Sequence, residues 1–276
     1  MHIGMLTRPF DDAPFEEVLA IAEEVQIDCL EVIAQPGSPH IDSAKLTPKR
    51  AGAIGEMLEE RGMTISALAY YRDVLEKGKA KRHQQALIKV IDAAALLGVD
   101  TVCTLAGFAP AGMGKHECIR EVLPGFWKPV LQHARKKKVR LAMENYHKTC
   151  LQGLDTFEAL FEAIPDKHFG LNYDPSHLVH QGIDHLVPVS AFADRIFHVH
   201  AKDTLIDEAR KGRVGVLGEG WWRYVIPGFG RIHWGELVTH LRLNGYDSVL
   251  SIEHEDETQS REEGFLRGSL HLEPLC

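Results

Sequence analysis

The sequence predicts a (β/α)8 barrel, and three observations predict it. Eight short apolar runs recur along the 276 residues, alternating with segments that carry helical periodicity or helix caps, which is the pattern of a parallel sheet wrapped by helices. The last four runs each end in Glu, Asp or His, and barrels carry their chemistry at the C-terminal ends of their strands. Finally, the main rival, an open doubly wound sheet, is expected to show a glycine-rich nucleotide turn after an early strand, and the chain holds no G-x-G-x-x-G or P-loop. A closed barrel also buries every strand on both sides and leaves no edge.

The elements follow in order. His2 to Thr7 is a short apolar strand, followed by a helix over Pro14 to Val25 with Pro14 near its first turn. Cys29 to Ala34 is the second strand, Gln35 to Ser43 a Pro/Gly loop, and Thr47 caps a helix that begins at Pro48 and runs to about Arg61. Thr64 to Tyr71 is the third strand; Lys79 to Leu97 is helical and stops at Gly98; Thr101 to Leu105 is the fourth strand. Lys115 to Lys138 is mostly helical, with a break or kink required at Pro124 and Pro129. Arg140 to Tyr146 is strand five, Thr156 to Ile164 a helix, Phe169 to Tyr173 strand six, Gly182 to Ala193 a helix, and Ile196 to His200 strand seven. Gly235 to Asn244 is a helix closed by Gly245, Ser248 to His254 is strand eight, and Ser260 to Leu272 a last helix. The expectation is a single domain over residues 1–276.

Composition narrows the function classes. With 45% hydrophobic and 25% charged residues the chain reads as a soluble globular protein, and no apolar run is long enough to span a bilayer. The start, MHIGMLTRPF, carries neither a basic leader nor a long apolar segment, so secretion is not indicated and a cytoplasmic location is expected. Five scattered cysteines without a C-x-x-C pair read as reduced thiols. A net charge of −8 argues against a nucleic-acid partner, since phosphate binding needs a basic face. The one dense basic cluster, Lys136, Lys137, Lys138 and Arg140, falls at a helix end, where it complements the helix dipole.

The candidate chemistry sits at the strand ends. Glu144 ends strand five, Asp174 follows strand six, His200 ends strand seven and Glu253 ends strand eight. Polar groups suited to a metal also include His177 after strand six and Asp203 after strand seven. Side chains alternate along a strand, so in one register Glu144 shares its face with Ala142, Asp174 with Asn172, His200 with His198 and Glu253 with Ser251. Small or polar partners suit the inner face beneath a hydrated site. Three carboxylates and one imidazole form a hard, mainly oxygen site, compatible with Mn²⁺, Mg²⁺, Co²⁺ or Zn²⁺. Like charges placed together without a cation would repel or need protonation. The plainer reading, glutamates in salt bridges inside the barrel, suits any one of the four better than it suits all four together.

His198, two residues before His200, suits a place behind the ligands or in the core, whereas His177 is placed to meet a substrate hydroxyl at the rim or to orient Asp174. Asn145, His147 and Lys202 stand beside the same strand ends, with Asn145 and Lys202 taken as substrate contacts. One connection, Asp203 to Trp234, is unusually long and rich in Gly and aromatics. It reads as a wall or lid over a small polar ligand, with Trp222 as a substrate contact, or else as a packed loop or subunit contact. A homo-oligomer in which this loop covers a neighbour's site is compatible with the sequence.

Taken together, LAMEN, NYDPSH, HVHAKD, PGFGRIHW and SIEHED resemble the xylose isomerase-like TIM-barrel superfamily, nearest to its inosose isomerase or dehydratase-like proteins and ketose 3-epimerases. The resemblance covers nearly the whole chain. It implies one divalent metal ion held at Glu144, Asp174, His200 and Glu253, with the two glutamates flanking the reacting carbon as acid and base and His177 on substrate oxygens. It implies an isomerase or epimerase of a sugar or cyclitol ketone, acting by proton transfer through an enediolate. A dehydratase that expels a β-hydroxyl from a keto-cyclitol or sugar acid is the alternative within the superfamily, and a non-catalytic sugar-binding barrel the alternative outside enzymology. The DNA-repair endonuclease branch would need more histidines and a basic face. The family's arginine beyond the strand-seven histidine has no clear counterpart in AKDTLIDEARKGR, and the insertion bearing Trp221 and Trp222 is not general to the family.

Overall fold

A computed structural model describes all 276 residues. In chain order the strands are β1 (His2–Leu6), β2 (Cys29–Ile33), β3 (Thr64–Tyr70), β4 (Thr101–Leu105), β5 (Arg140–Glu144), β6 (Phe169–Tyr173), β7 (Ile196–Ala201), β8 (Asp203–Ile206), β9 (Trp222–Val225) and β10 (Val249–Ile252). Eight of them close a parallel barrel in the order β1-β10-β7-β6-β5-β4-β3-β2, and β8 pairs antiparallel with β9 as a separate hairpin. The (β/α)8 expectation therefore holds.

The helices are α1 (Phe15–Glu24), α2 (Pro48–Glu59), α3 (Ala80–Leu97), α4 (Lys115–Glu121), α5 (Leu123–Lys137), α6 (Leu154–Ala163), α7 (Ser176–Val179), α8 (Val187–Ala191), α9 (Glu208–Val214), α10 (Trp234–Leu243) and α11 (Arg261–Leu272). Local chemistry sets several ends. Thr47 caps α2 by accepting a 3.3 Å bond from the Arg50 amide, and Gly98 ends α3 in the left-handed conformation at φ 73°. The helical stretch after residue 115 breaks at Val122, just before Pro124, while Pro129 is accommodated inside α5. The helix expected over Gly182 to Ala193 is reduced to the short α8, and another short helix, α7, precedes it. The chain turns between them at Gly182, whose φ of 71° does not continue a helix. None of the helices is long and apolar enough to cross a membrane.

The main core fills the layer between strands and helices, and a small cluster of Leu6, Ile33, Ala67, Ala69, Cys103, Ala142 and Phe197 fills the barrel. Two register shifts shape the interior. Between β6 and β7 the pairing passes from Leu171↔Ile196 to Asn172↔His198, leaving Phe197 unpaired so that it joins the interior beside His198. Gly170 makes room for it, since a Cβ there would collide with the Phe197 ring and the Arg195 carbonyl. Gly170→Ala is expected to cost about 3 kcal/mol of stability, because backbone on one side and a buried ring on the other leave no room to relax; chemical denaturation checks this. The second shift, between β2 and β3, leaves Ser66 unpaired, and its hydroxyl lies 3.1 Å from His198 Nε2.

The long connection after β7 is ordered by a single carboxylate. Asp203 accepts hydrogen bonds from the amides of Thr204, Gly228 and Ile232 and from the Trp234 indole, at 2.7–3.1 Å. Both of its oxygens are thereby committed, so Asp203, read from sequence as suited to a metal, instead anchors the loop. The loop itself is the β8–β9 hairpin with α9 between its strands.

Candidate metal and substrate site

The C-terminal ends of β5, β6, β7 and β10 bring four side chains to one place. Ligand atoms of Glu144, Asp174, His200 and Glu253 all lie within 4.8 Å of one another, and all four residues are buried. This is the set read from sequence, gathered as the strand order requires, since β5, β6, β7 and β10 are consecutive neighbours in the barrel.

Each member is held by groups behind it. Asn145 holds Asp174 in place: its Nδ2 donates to the Asp174 carbonyl and its Oδ1 accepts from the Asp174 amide, both at 2.7 Å. Both polar ends of Asn145 are thus committed, which makes it a positioning residue and not the substrate contact expected from sequence. Asp174 Oδ1 accepts from the Ser176 amide at 2.8 Å. Its Oδ2 and His200 Nδ1 are both buried and make no well-aligned hydrogen bond; the groups nearest them are the Lys202 ammonium at 3.0 Å and Glu253 Oε2 at 3.1 Å. Carboxylates gathered this closely in a buried place call for a cation, and three carboxylate oxygens with one imidazole nitrogen suit a divalent ion.

The other face of the His200 ring explains its orientation. Nε2 lies 3.0 Å from Glu31 Oε2 and Nδ1 3.1 Å from Glu253 Oε2. Burial would lower the imidazole's pKa, but these carboxylates raise it well above the ordinary value. With an ion bound, Glu31 would keep the proton on Nε2 and leave Nδ1 to the metal. Glu31 is fully buried on β2 and also accepts from Ser251 at 2.9 Å and from the Tyr71 hydroxyl at 2.5 Å. Burial alone would raise its pKa, but His200, His198 and these hydrogen bonds outweigh that and hold it down to about 2. His198 sits below, bonded to Asn172 Oδ1 at 3.0 Å, and burial lowers it to about 4. Sequence reading passed over Glu31 and Tyr71. The available signal was an acidic residue inside CLEVI, an otherwise apolar run, because a carboxylate in a fully buried strand needs a partner. Glu31→Gln is expected to weaken metal affinity about 10- to 100-fold with the barrel intact, as read by competition with a chelator.

A cation already stands among the carboxylates. The Lys202 ammonium is 2.5 Å from Glu253 Oε2, 3.0 Å from Asp174 Oδ2, 3.5 Å from Glu255 and 4.0 Å from Glu144. Burial would depress its pKa, yet the surrounding carboxylates raise it well above the ordinary lysine value. Burial likewise opposes ionisation of Glu253, but Lys202 and His200 outweigh it and hold that carboxyl well below its usual range. The ammonium and a divalent ion would compete for the same oxygens. Lys202, expected from sequence as a substrate contact, thus occupies the ligand cluster and also lines the cavity above it.

That cavity has a volume of about 340 Å³ and is bordered by Arg8, Tyr71, Phe108, Tyr146 and Tyr224 together with the site residues. His177, expected at the rim, is buried and reaches Glu144 Oε1 at 3.0 Å through Nε2. The hairpin forms one wall. Trp222 and Tyr224 alternate onto its inner face, and Arg223, on the other side, pairs with Asp256 at 2.7 Å. Trp222 stacks on His180 at a ring separation of 3.9 Å.

The model of the family described as "Xylose isomerase-like TIM barrel" matches residues 19–275. The YfiH protein of Bacillus subtilis (strain 168), described as uncharacterized, is 27% identical over 96% of each chain. An inosose dehydratase of Clostridium tetani (strain Massachusetts / E88) is 24% identical, over 86% of this chain and 84% of its own. Among solved structures, the IOLI protein with a bound zinc atom superposes with a TM-score of 0.77 at 16% identity, covering 100% of this chain and 98% of the other. At that identity the superposition speaks for the fold alone.

Proposed function

The chain belongs to the xylose isomerase-like TIM-barrel family, and from that premise we propose that residues 1–276 act as one cytoplasmic domain that isomerises or epimerises a sugar or cyclitol ketone with the help of one divalent metal ion. The observation that carries this reading is the convergence of Glu144, Asp174, His200 and Glu253, all buried, within 4.8 Å.

Glu144, Asp174, His200 and Glu253 would hold the ion, and their donor chemistry suits Mn²⁺, Zn²⁺, Mg²⁺ or Co²⁺. When bound, the ion supplies Lewis-acid stabilisation of the negative charge that develops as a proton leaves the carbon beside a carbonyl. Glu144 and Glu253 stand at the ends of β5 and β10, on either side of the Asp174 and His200 strands. One glutamate removes the carbon-bound proton, and the same group or the opposite one returns it. Return to the neighbouring carbon of the enediolate isomerises; return to the opposite face of the same carbon epimerises. Glu253 is held ionised by Lys202 and His200, as a base must be. Lys202 supplies hydrogen bonds to substrate oxygens, His177 holds Glu144 through Nε2, and Tyr224 borders the cavity, with Trp222 beside it on the hairpin stacked on His180. The substrate is a small sugar or cyclitol, with neither nucleic acid nor membrane as partner.

A second reading is favoured by one observation, the similarity to an inosose dehydratase. In that case the same proton abstraction is followed by loss of the β-hydroxyl as water. Incubating metal-loaded protein with ketoses and inosose in deuterated water separates the cases. Carbon-bound deuterium in a product isomeric with the substrate supports isomerisation or epimerisation. Loss of one water indicates the dehydratase, and no exchange with any of them counts against the enzyme reading.

A further inference from the structure

At the mouth of the cavity three imidazoles aim nitrogens at one oxygen. The Tyr224 hydroxyl lies 2.6 Å from His177 Nδ1, 3.3 Å from His180 Nε2 and 3.5 Å from His147 Nδ1. One ring nitrogen from each histidine lies within 4.8 Å of the others. The four groups come from three parts of the chain: His147 from the loop after β5, His177 and His180 from α7 and the residue that caps it, and Tyr224 from β9 of the hairpin. We propose that His147, His177 and His180, with the Tyr224 phenol, form a second metal site, specific for a borderline transition ion such as Zn²⁺, that staples the hairpin to the barrel.

The hydrogen-bond count supports this. A phenol has one proton to donate, so it serves one of the three nitrogens. His177 is its natural acceptor, because the Nε2 of that ring faces Glu144 Oε1 at 3.0 Å and takes the proton. Neither His147 nor His180 has a carboxylate within ion-pair distance; their close neighbours are aromatic, with His180 stacked on Trp222 and His147 edge-on to it at 5.9 Å.

The donor chemistry separates this site from the carboxylate cluster. Three neutral imidazoles and a phenol suit Zn²⁺, Co²⁺, Ni²⁺ or Cu²⁺ and give Mg²⁺ or Mn²⁺ little reason to bind, whereas the carboxylate set accepts either kind. Zinc–nitrogen bonds of about 2.0–2.1 Å would draw the three nitrogens inward by about 1 Å, a movement open to a loop residue and to the end of a four-residue helix. His177 links the two sites, since an ion on Nδ1 fixes the tautomer whose Nε2–H donates to Glu144.

Metal-free protein dialysed separately against zinc and manganese tests this directly. Wild type should take up about two zinc ions but one manganese per chain, the His147→Ala/His180→Ala double variant about one of each, and His200→Ala about one zinc and no manganese. Manganese retained by the double variant shows that it is folded. Should it fail to fold, cobalt titration of wild type decides: intense visible bands from a tetrahedral nitrogen site are expected alongside the weak bands of an oxygen-rich one. A zinc content that the folded double variant keeps undiminished, or weak cobalt bands alone, would overturn the assignment, whereas a single zinc lost in the double variant and kept in His200→Ala would leave it standing and count against the carboxylate site instead.

Discussion

Replacing Glu253 with Gln should lower turnover by at least about 10³-fold while the protein stays folded. The amide keeps the size and one ligating oxygen of the carboxylate but cannot accept the carbon-bound proton, and a lost general base costs about 10²- to 10⁴-fold. The fold should tolerate the change because the cluster is rich in negative charge. Lys202 keeps Asp174 at 3.0 Å and Glu255 at 3.5 Å after the substitution, and His200 keeps Glu31 at 3.0 Å. No buried cation is therefore left without a partner, which is what makes single deletions in buried ion pairs expensive. Steady-state rates for the variant, alongside its circular dichroism, check both halves. A near-normal rate would remove Glu253 from the proton transfer.

Metal removal is the second large effect. Chelation should abolish exchange of the carbon-bound proton and lower thermal stability, and addition of Mn²⁺ should restore both. The stability gain on reloading is expected to be about 2.7 kcal/mol at a hundredfold excess of free ion over its dissociation constant. Lys202 moderates the loss, since its ammonium neutralises part of the carboxylate charge in the metal-free protein. Calorimetric melting with and without the ion measures the shift. Unchanged turnover after exhaustive chelation would contradict the proposed mechanism.

Much of the barrel and of the four-residue cluster was legible because parallel strands buried on both faces are short apolar runs, and a polar group ending such a run is conspicuous. Glu144, Asp174, His200 and Glu253 each stand out in this way, and consecutive strand order brings them together. What escaped depends on contacts between distant segments. Glu31 reaches His200 across 169 positions, and nothing local tells a carboxylate that orients a ligand from one in an ordinary ion pair. Asp203 resembled a ligand because the residues that saturate it, Gly228, Ile232 and Trp234, lie more than twenty positions away. The β8–β9 hairpin was hidden for a similar reason. Its strands are four residues each with an exposed helix between them, too short for a period-two pattern to stand out. Asn145 was visible as a polar rim residue, but only its two bonds to the Asp174 backbone show that it positions its neighbour.

The most direct test of the central claim is manganese content per chain, measured by elemental analysis after metal-free protein is equilibrated with Mn²⁺ and passed through a desalting column. About one manganese per chain in wild type and none in folded His200→Ala is the predicted result, since an oxygen-rich site with one imidazole accepts this ion. Equal content in the two proteins, or none in wild type, would mean that the four strand-end residues do not hold a metal.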